Sequence, residues 1–179
     1  MNKEIIILGS TGSIGTTTLA VIKKKNFKVR LLTSDKNAIK LLKQAILFKV
    51  KDVIIEDLSQ YKKYKVLFNK NKIRIYLGLI NLKKILKKKV NYCINSISGI
   101  DGLLPTLEVI PFTENILIAN KESIICGWHL IKKKIIRYKV NFVPIDSEHF
   151  SIWKLIKNEN YSEINKIILT ASGGPFLKK

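Results

Sequence analysis

The sequence predicts an α/β fold: a doubly wound, mostly parallel sheet with helices on both faces. Three observations carry this expectation. Short apolar runs alternate with helix-period stretches along nearly the whole chain, as in repeated βαβ units. A glycine-rich turn, Gly9 to Gly15, joins the first apolar run to the first helical stretch. Polar clusters follow several later runs, at the strand carboxyl ends where open α/β sheets bind ligands.

Taken in order, the first strand is the run Glu4-Ile5-Ile6-Ile7-Leu8, short and continuously apolar in the manner of a strand buried on both faces. A helix over residues 13–24 leaves the glycine turn. Strands over 28–33, 52–55 and 72–77 are separated by helices over 37–48 and 58–69. A helix over 82–88 precedes a strand over 91–97, and a helix over 103–110 precedes one over 115–119. The helix over 122–137 has the clearest period: Ile124, Ile125, Trp128, Ile131, Ile135 and Ile136 recur at spacings of three, four and seven. A strand over 140–145, a helix over 148–157 and a strand over 166–171 complete the alternation.

Composition bounds the function. The chain has 179 residues, 46% of them hydrophobic, and a formal net charge of +20. That apolar content supports a core and argues against a disordered polycation. Cys93 and Cys126 are the only cysteines, which excludes a disulfide scaffold and a four-cysteine zinc site and suits a cytoplasmic location. No apolar run approaches the ~18 residues of a membrane span, and the opening strand leaves no room for a signal peptide.

The charge is almost entirely lysine, 30 Lys against 3 Arg, with 30 Ile and 14 Asn but only 5 Ala. Lysine, isoleucine and asparagine belong to A/T-rich codons, so genomic bias accounts for much of the +20. Base readout leans on arginine, and nucleic acid is not the expected partner. The runs Lys23 to Lys25 and Lys87 to Lys89 are placed at helix ends, where cations complement the dipole and face away from the ligand edge. Lys132 to Lys134 reads as an exposed helix face.

The candidate chemistry starts at Gly9-Ser10-Thr11-Gly12-Ser13-Ile14-Gly15. Glycines permit a tight turn and close backbone approach, and the helix start behind them suits a pyrophosphate. The spacing is GxxGxxG, and no P-loop Lys-Ser/Thr follows. A nicotinamide dinucleotide is expected; a tight structural turn is the plainer reading. At the end of the second strand, Asp35 suits the ribose hydroxyls of NAD and Lys36 the 2′-phosphate of NADP, while Asn37 reads equally well as a helix N-cap. Asn120-Lys121-Glu122-Ser123 opens the most periodic helix, either as a cap with an acid in the first turn or with Lys121 holding an oxygen-rich substrate. In Pro144-Ile145-Asp146-Ser147-Glu148-His149, Asp146 and Glu148 are hard oxygen donors suited to Mg²⁺ or Mn²⁺, or parts of a surface turn. His149 and His129 read as structural. Ser172-Gly173-Gly174 near the end forms a phosphate nest or a plain turn.

Taken together, these runs, with Gly102-Leu103-Leu104-Pro105-Thr106-Leu107 and Leu169-Thr170-Ala171-Ser172-Gly173-Gly174-Pro175-Phe176, resemble the 1-deoxy-D-xylulose 5-phosphate reductoisomerase family in order and spacing from end to end. The resemblance implies a Rossmann-type NADPH domain over residues 1–138 and the beginning of a metal- and substrate-binding catalytic domain over 139–179. It implies Thr11, Gly12, Ser13, Ile14, Lys36, Asn37, Asn120 and Glu122 as cofactor-binding. Lys121, Ser147 and Ser172 would contact substrate, and Asp146 and Glu148 the metal, with Lys121, Asp146 and Glu148 catalytic. It further implies a homodimer, and conversion of 1-deoxy-D-xylulose 5-phosphate to 2-C-methyl-D-erythritol 4-phosphate in the non-mevalonate route to isoprenoids. Asp35 stands where a small residue is usual in the family, and Phe150-Ser151 where Asn-Ala is common. Family members are more than twice as long, so a third acidic metal ligand, the lid and a helical domain are expected beyond Lys179.

Overall fold

In a computed structural model describing residues 3–168, strands and helices alternate as the sequence predicts. The strands are β1 (Lys3–Leu8), β2 (Phe27–Ser34), β3 (Asp52–Ile55), β4 (Arg74–Leu77), β5 (Val90–Asn95), β6 (Thr113–Ile118) and β7 (Asn141–Pro144). The helices are α1 (Ser13–Lys23), α2 (Ala38–Leu47), α3 (Leu58–Lys70), α4 (Leu82–Ile85), α5 (Leu103–Val109), α6 (Lys121–Tyr138) and α7 (Ser147–Ile156). All seven strands form one sheet, ordered β4-β3-β2-β1-β5-β6-β7, and every neighbouring pair is parallel. The chain moves outward from β1 to β4, then returns to add β5 on the other side of β1. Strand order therefore reverses between β1 and β5.

The continuous apolar run of β1 is explained by its central position. Ile5 and Ile7 pack on one face with Leu19 and Ile22 of α1, Leu41 and Ala45 of α2, and Phe68 of α3. Ile6 and Leu8 pack on the other with Leu82 of α4, Val109 of α5, and Ile124 and Ile131 of α6. Full burial of such a side chain stabilises by roughly 1.5–3 kcal/mol, and each successive residue serves a different core.

Some expectations need correction. The fourth helix ends at Ile85, so Lys87 to Lys89 lie in the connection to β5, where Lys89 Nζ donates to the carbonyl of Tyr138 at the end of α6. On α6 the buried face is Ser123, Ile124, Gly127 and Ile131, with Ile135 half-buried; Ile125 is 69% and Ile136 66% exposed. At about 100° per residue, these two point well to the side of Ile124 and Ile131. Residues 164–168 carry no regular structure, and the remainder of the expected strand over 166–171 lies outside the described residues. Strand β7 joins the same sheet, paired with β6.

Two features at the amino edge bear on stability. Asp52, 1% exposed, accepts from Arg30 Nη1 at 2.6 Å, Arg74 Nε at 2.7 Å and Arg74 Nη2 at 3.0 Å. Burial pushes its carboxyl up, but the bonds from Arg74 and Arg30 outweigh that and hold it below its ordinary value. Lys49, Lys72 and Lys139, each just beyond a helix, have positive φ of 53°, 56° and 50°.

Candidate functional site

The glycine turn follows β1 at the point of reversal, where doubly wound sheets open a crevice. Gly9 has φ +70°, and a Cβ there would lie 2.9 Å from Ile97 Cγ1. A Cβ on Gly15 would fall 2.5 Å from the Gly9 carbonyl oxygen and 2.6 Å from Ser10 Cα, so α1 can meet the turn only as glycine. Gly12 N donates to Gly9 O at 3.1 Å and N-caps α1 without a side-chain bond. By contrast α2, α3, α6 and α7 are capped by Asn37, Asp57, Asn120 and Asp146. The start of α1 thus presents its backbone donors and positive dipole without a side chain in the way.

Partners remote in sequence hold this turn. Ser10 Oγ donates to Gln44 Oε1 at 2.8 Å, and Gln44 Nε2 returns a 2.8 Å bond to Ser10 O. Lys40 Nζ donates to Thr11 O at 2.7 Å, and the Thr11 and Ser34 hydroxyls lie 2.8 Å apart. Ser10, Lys40 and Gln44 were not marked as site residues by the motifs; their one signal is that Lys40 and Gln44 stand one turn apart on α2.

Two clefts open along this edge. The first, about 400 Å³, is lined by Gly9, Thr11 and Gly12, by Ser34, Asp35 and Glu56 from the ends of β2 and β3, and by Ser96 to Ser98 and Asp101. Lys36 and Asn37 stand beside it and do not line it. Asn37 caps α2, its Oδ1 accepting from Lys40 N at 3.1 Å. The second cleft, about 410 Å³, is lined by Ile14, by Asn120, Lys121 and Glu122 at the start of α6, and by Asp146, Ser147 and Glu148 at the start of α7. Ile97 and Ser98 line both clefts and form the wall between them. Ser13 faces neither, lining instead an apolar groove beside α1.

The wall is braced by buried amides. Asn120, 5% exposed, accepts from Ser123 N through Oδ1 and donates through Nδ2 to Ile97 O at 2.8 Å. Asn95 donates to Gly102 O and Thr106 Oγ1 while its Oδ1 accepts from Ile97 N. Asn120 is therefore both a cap and a support of the site, joining two readings the sequence left apart.

In the second cleft Lys121 Nζ lies 2.7 Å from Glu148 Oε1, and Ser147 Oγ donates to Glu148 Oε2 at 2.7 Å. The Lys121 bond, then that of Ser147, holds the Glu148 carboxyl down to about 2, and the same pairing raises Lys121. Asp146 Oδ1 accepts from His149 N at 3.0 Å and meets His149 Nδ1 at 2.7 Å. Asp146 Oδ2 is buried without a partner. An orphaned carboxylate oxygen beside a second carboxylate already paired to an ammonium fits a hard divalent cation. Among the described residues no three acidic, histidine or cysteine side chains are placed to hold one metal ion, so the donor set is partial. Ser172 lies outside the described residues.

Fold and site together define a doubly wound α/β protein with a carboxylate-bearing cleft beside the crevice at its glycine turn. The family model for 1-deoxy-D-xylulose 5-phosphate reductoisomerase matches residues 5–127, and that for the reductoisomerase C-terminal domain matches 142–179. The chain belongs to the 1-deoxy-D-xylulose 5-phosphate reductoisomerase family. It is 52% identical over 178 residues to the reductoisomerase of Pelagibacter ubique, covering 97% of this chain and 46% of that protein. It is 38% identical to that of Caldanaerobacter subterraneus, covering 99% and 47%. The Zymomonas mobilis reductoisomerase solved with NADPH superposes with a TM-score of 0.87 at 30% identity, over 98% of this chain and 47% of that one. A DOX-P reductoisomerase solved with magnesium gives 0.85 at 31%, over 100% and 48%. The chain thus spans about half the length of the relatives it matches. Among the described residues no helix is long and apolar enough to cross a membrane.

Proposed function

We propose that this chain is the cofactor-binding and metal-binding front portion of an NADPH-dependent reductoisomerase. The reaction converts 1-deoxy-D-xylulose 5-phosphate to 2-C-methyl-D-erythritol 4-phosphate for non-mevalonate isoprenoid synthesis in the cytoplasm. The observation that carries this reading is the pair of clefts sharing one wall, with a glycine turn and uncapped helix in one and Asp146, Glu148 and Lys121 in the other. Residues 1–138 form the dinucleotide domain and 139–179 begin the catalytic domain, with β7 as the join. The working enzyme is a homodimer.

In this reading Thr11, Gly12, Ser13 and Ile14 bring backbone donors to the pyrophosphate, and Lys36 and Asn37 serve the adenosine end. NADPH, when bound, supplies the hydride. Asp146 and Glu148 hold the divalent metal, Mg²⁺ or Mn²⁺, which when bound supplies Lewis acidity toward the substrate's ketone and hydroxyl oxygens. Glu148 becomes free to bind when Lys121 turns from it to a substrate oxygen. Ser147 donates to the substrate, and Ser172 holds its phosphate. Asn120, fixed to Ile97, keeps the wall in register, and Glu122, which lines the second cleft, contacts the cofactor from there.

Titration of NADPH into the folded chain, followed by nucleotide fluorescence, should give roughly micromolar affinity. Absence of binding to a demonstrably folded sample sinks the proposal. A second reading, one half of a split enzyme or a non-catalytic NADP-binding module, is favoured by the partial donor set among the described residues. Substrate-dependent NADPH oxidation by this chain alone would rule that out.

A further inference from the structure

Three carboxylates, Asp35, Glu56 and Asp101, line the same cleft as the glycine turn, in a chain of net charge +20 with 13 acidic residues. Asp35 follows β2 and Glu56 follows β3, and backbone bonds clamp the two ends together: Glu56 N donates to Ser34 O and Asp57 N to Asp35 O, both at 3.1 Å. The Glu56 side chain reaches water but runs along the cleft wall. Partial burial first, then the charge of Asp35, raises its carboxyl above the ordinary range, against a lowering bond from the Leu79 N–H. Two cations follow Asp35 closely in sequence: Lys36, exposed, and Lys40, whose ammonium is committed to Thr11 O.

At the ends of β2 and β3 the crevice takes the adenosine ribose of a dinucleotide. A carboxylate there accepts from a 2′-hydroxyl and repels a 2′-phosphate, whose charge near neutral pH is about −1.5 to −2. Resting on the dinucleotide reading above, we infer that Glu56, supported by Asp35, is a specificity-determining residue acting against the 2′-phosphate, with Lys36 opposing it. The two carboxylates therefore narrow the margin by which the cleft prefers NADPH over NADH.

The test is titration of NADPH and NADH separately into the folded chain, the Glu56→Gln and Asp35→Asn variants and a Lys36→Ala control, read by nucleotide fluorescence, with circular dichroism for folding. Glu56→Gln should raise the ratio of NADPH to NADH affinity by about fivefold or more. Asp35→Asn should move it the same way and Lys36→Ala the opposite way. A ratio unchanged within about twofold in both carboxylate variants overturns the inference while leaving NADPH binding intact. Binding of neither nucleotide by the folded parent chain overturns the dinucleotide reading itself and this inference with it.

Discussion

Lys121 Nζ lies 2.7 Å from Glu148 Oε1, tying the first residue of α6 to the second residue of α7 across the mouth of the second cleft. The ammonium occupies a carboxylate that the proposed metal site needs, so a metal bound there would compete with Lys121 for Glu148.

Replacing Lys121 with methionine should therefore tighten Mn²⁺ binding a few-fold, measured by electron paramagnetic resonance. Asp146→Asn keeps an oxygen to cap α7 and should cost no more than about 1 kcal/mol of stability. It removes the charge on the orphaned oxygen and should weaken Mn²⁺ binding by about tenfold or more. Unchanged Mn²⁺ affinity in Asp146→Asn would remove Asp146 from the ligand set.

The glycine turn separates stability from binding. Gly15→Ala places its methyl 2.5 Å from a backbone oxygen and should destabilise by about 1–3 kcal/mol in urea unfolding. Gly12→Ala meets nothing closer than 3.5 Å, and its stability should stay within about 0.5 kcal/mol of the parent. Equal losses in the two variants would contradict the close-contact account.

Asp52 should make the fold sensitive to acid. Its folded pKa is depressed, so the stabilisation is present above the unfolded value and is lost as pH falls through the folded one. Asp52→Asn should cost about 1–3 kcal/mol at pH 7, a range reduced for the 65% exposure of Arg74. The gap between variant and parent should close below about pH 4. A gap independent of pH would show that the carboxylate charge is not responsible.

Lys139 ends α6 in the left-handed region at φ 50°, a conformation that costs a residue with a Cβ roughly 1–2 kcal/mol. Lys139→Gly should raise thermal stability by about 1 kcal/mol, net of glycine's greater freedom in the unfolded chain. A fall in stability would mean that side-chain contacts of Lys139 outweigh its backbone strain.

The strands and the site edge were legible because burial on both faces of β1 demands an unbroken Ile-Ile-Ile-Leu run, and because polar clusters follow strands. The face of α6 was less so. Isoleucine is so abundant here that Ile125 and Ile136 appear at helical spacing without being buried, and the true seam includes Ser123 and Gly127, which a search for apolar residues passes over. The Lys121–Glu148 pair, the Gln44–Ser10 pair and the Asn120–Ile97 brace were hidden because each joins segments at least 23 residues apart. The double role of Asn120 was hidden too, since a cap motif is complete within four residues and gives no sign of a second partner.

The reversal of strand order between β1 and β5 also governs when the crevice comes into being. One side of β1 is closed early by β2, but its other neighbour begins only at Val90. The hydroxyl that seals the junction, Ser96 Oγ to Leu8 O, spans 88 residues. A chain emerging from the ribosome must therefore complete four βα units with one edge of β1 still unpaired, because contacts so distant in sequence form late. A ligand of that crevice can stabilise the folded state only after this closure, so any ligand rescue acts late and not on the first βα units.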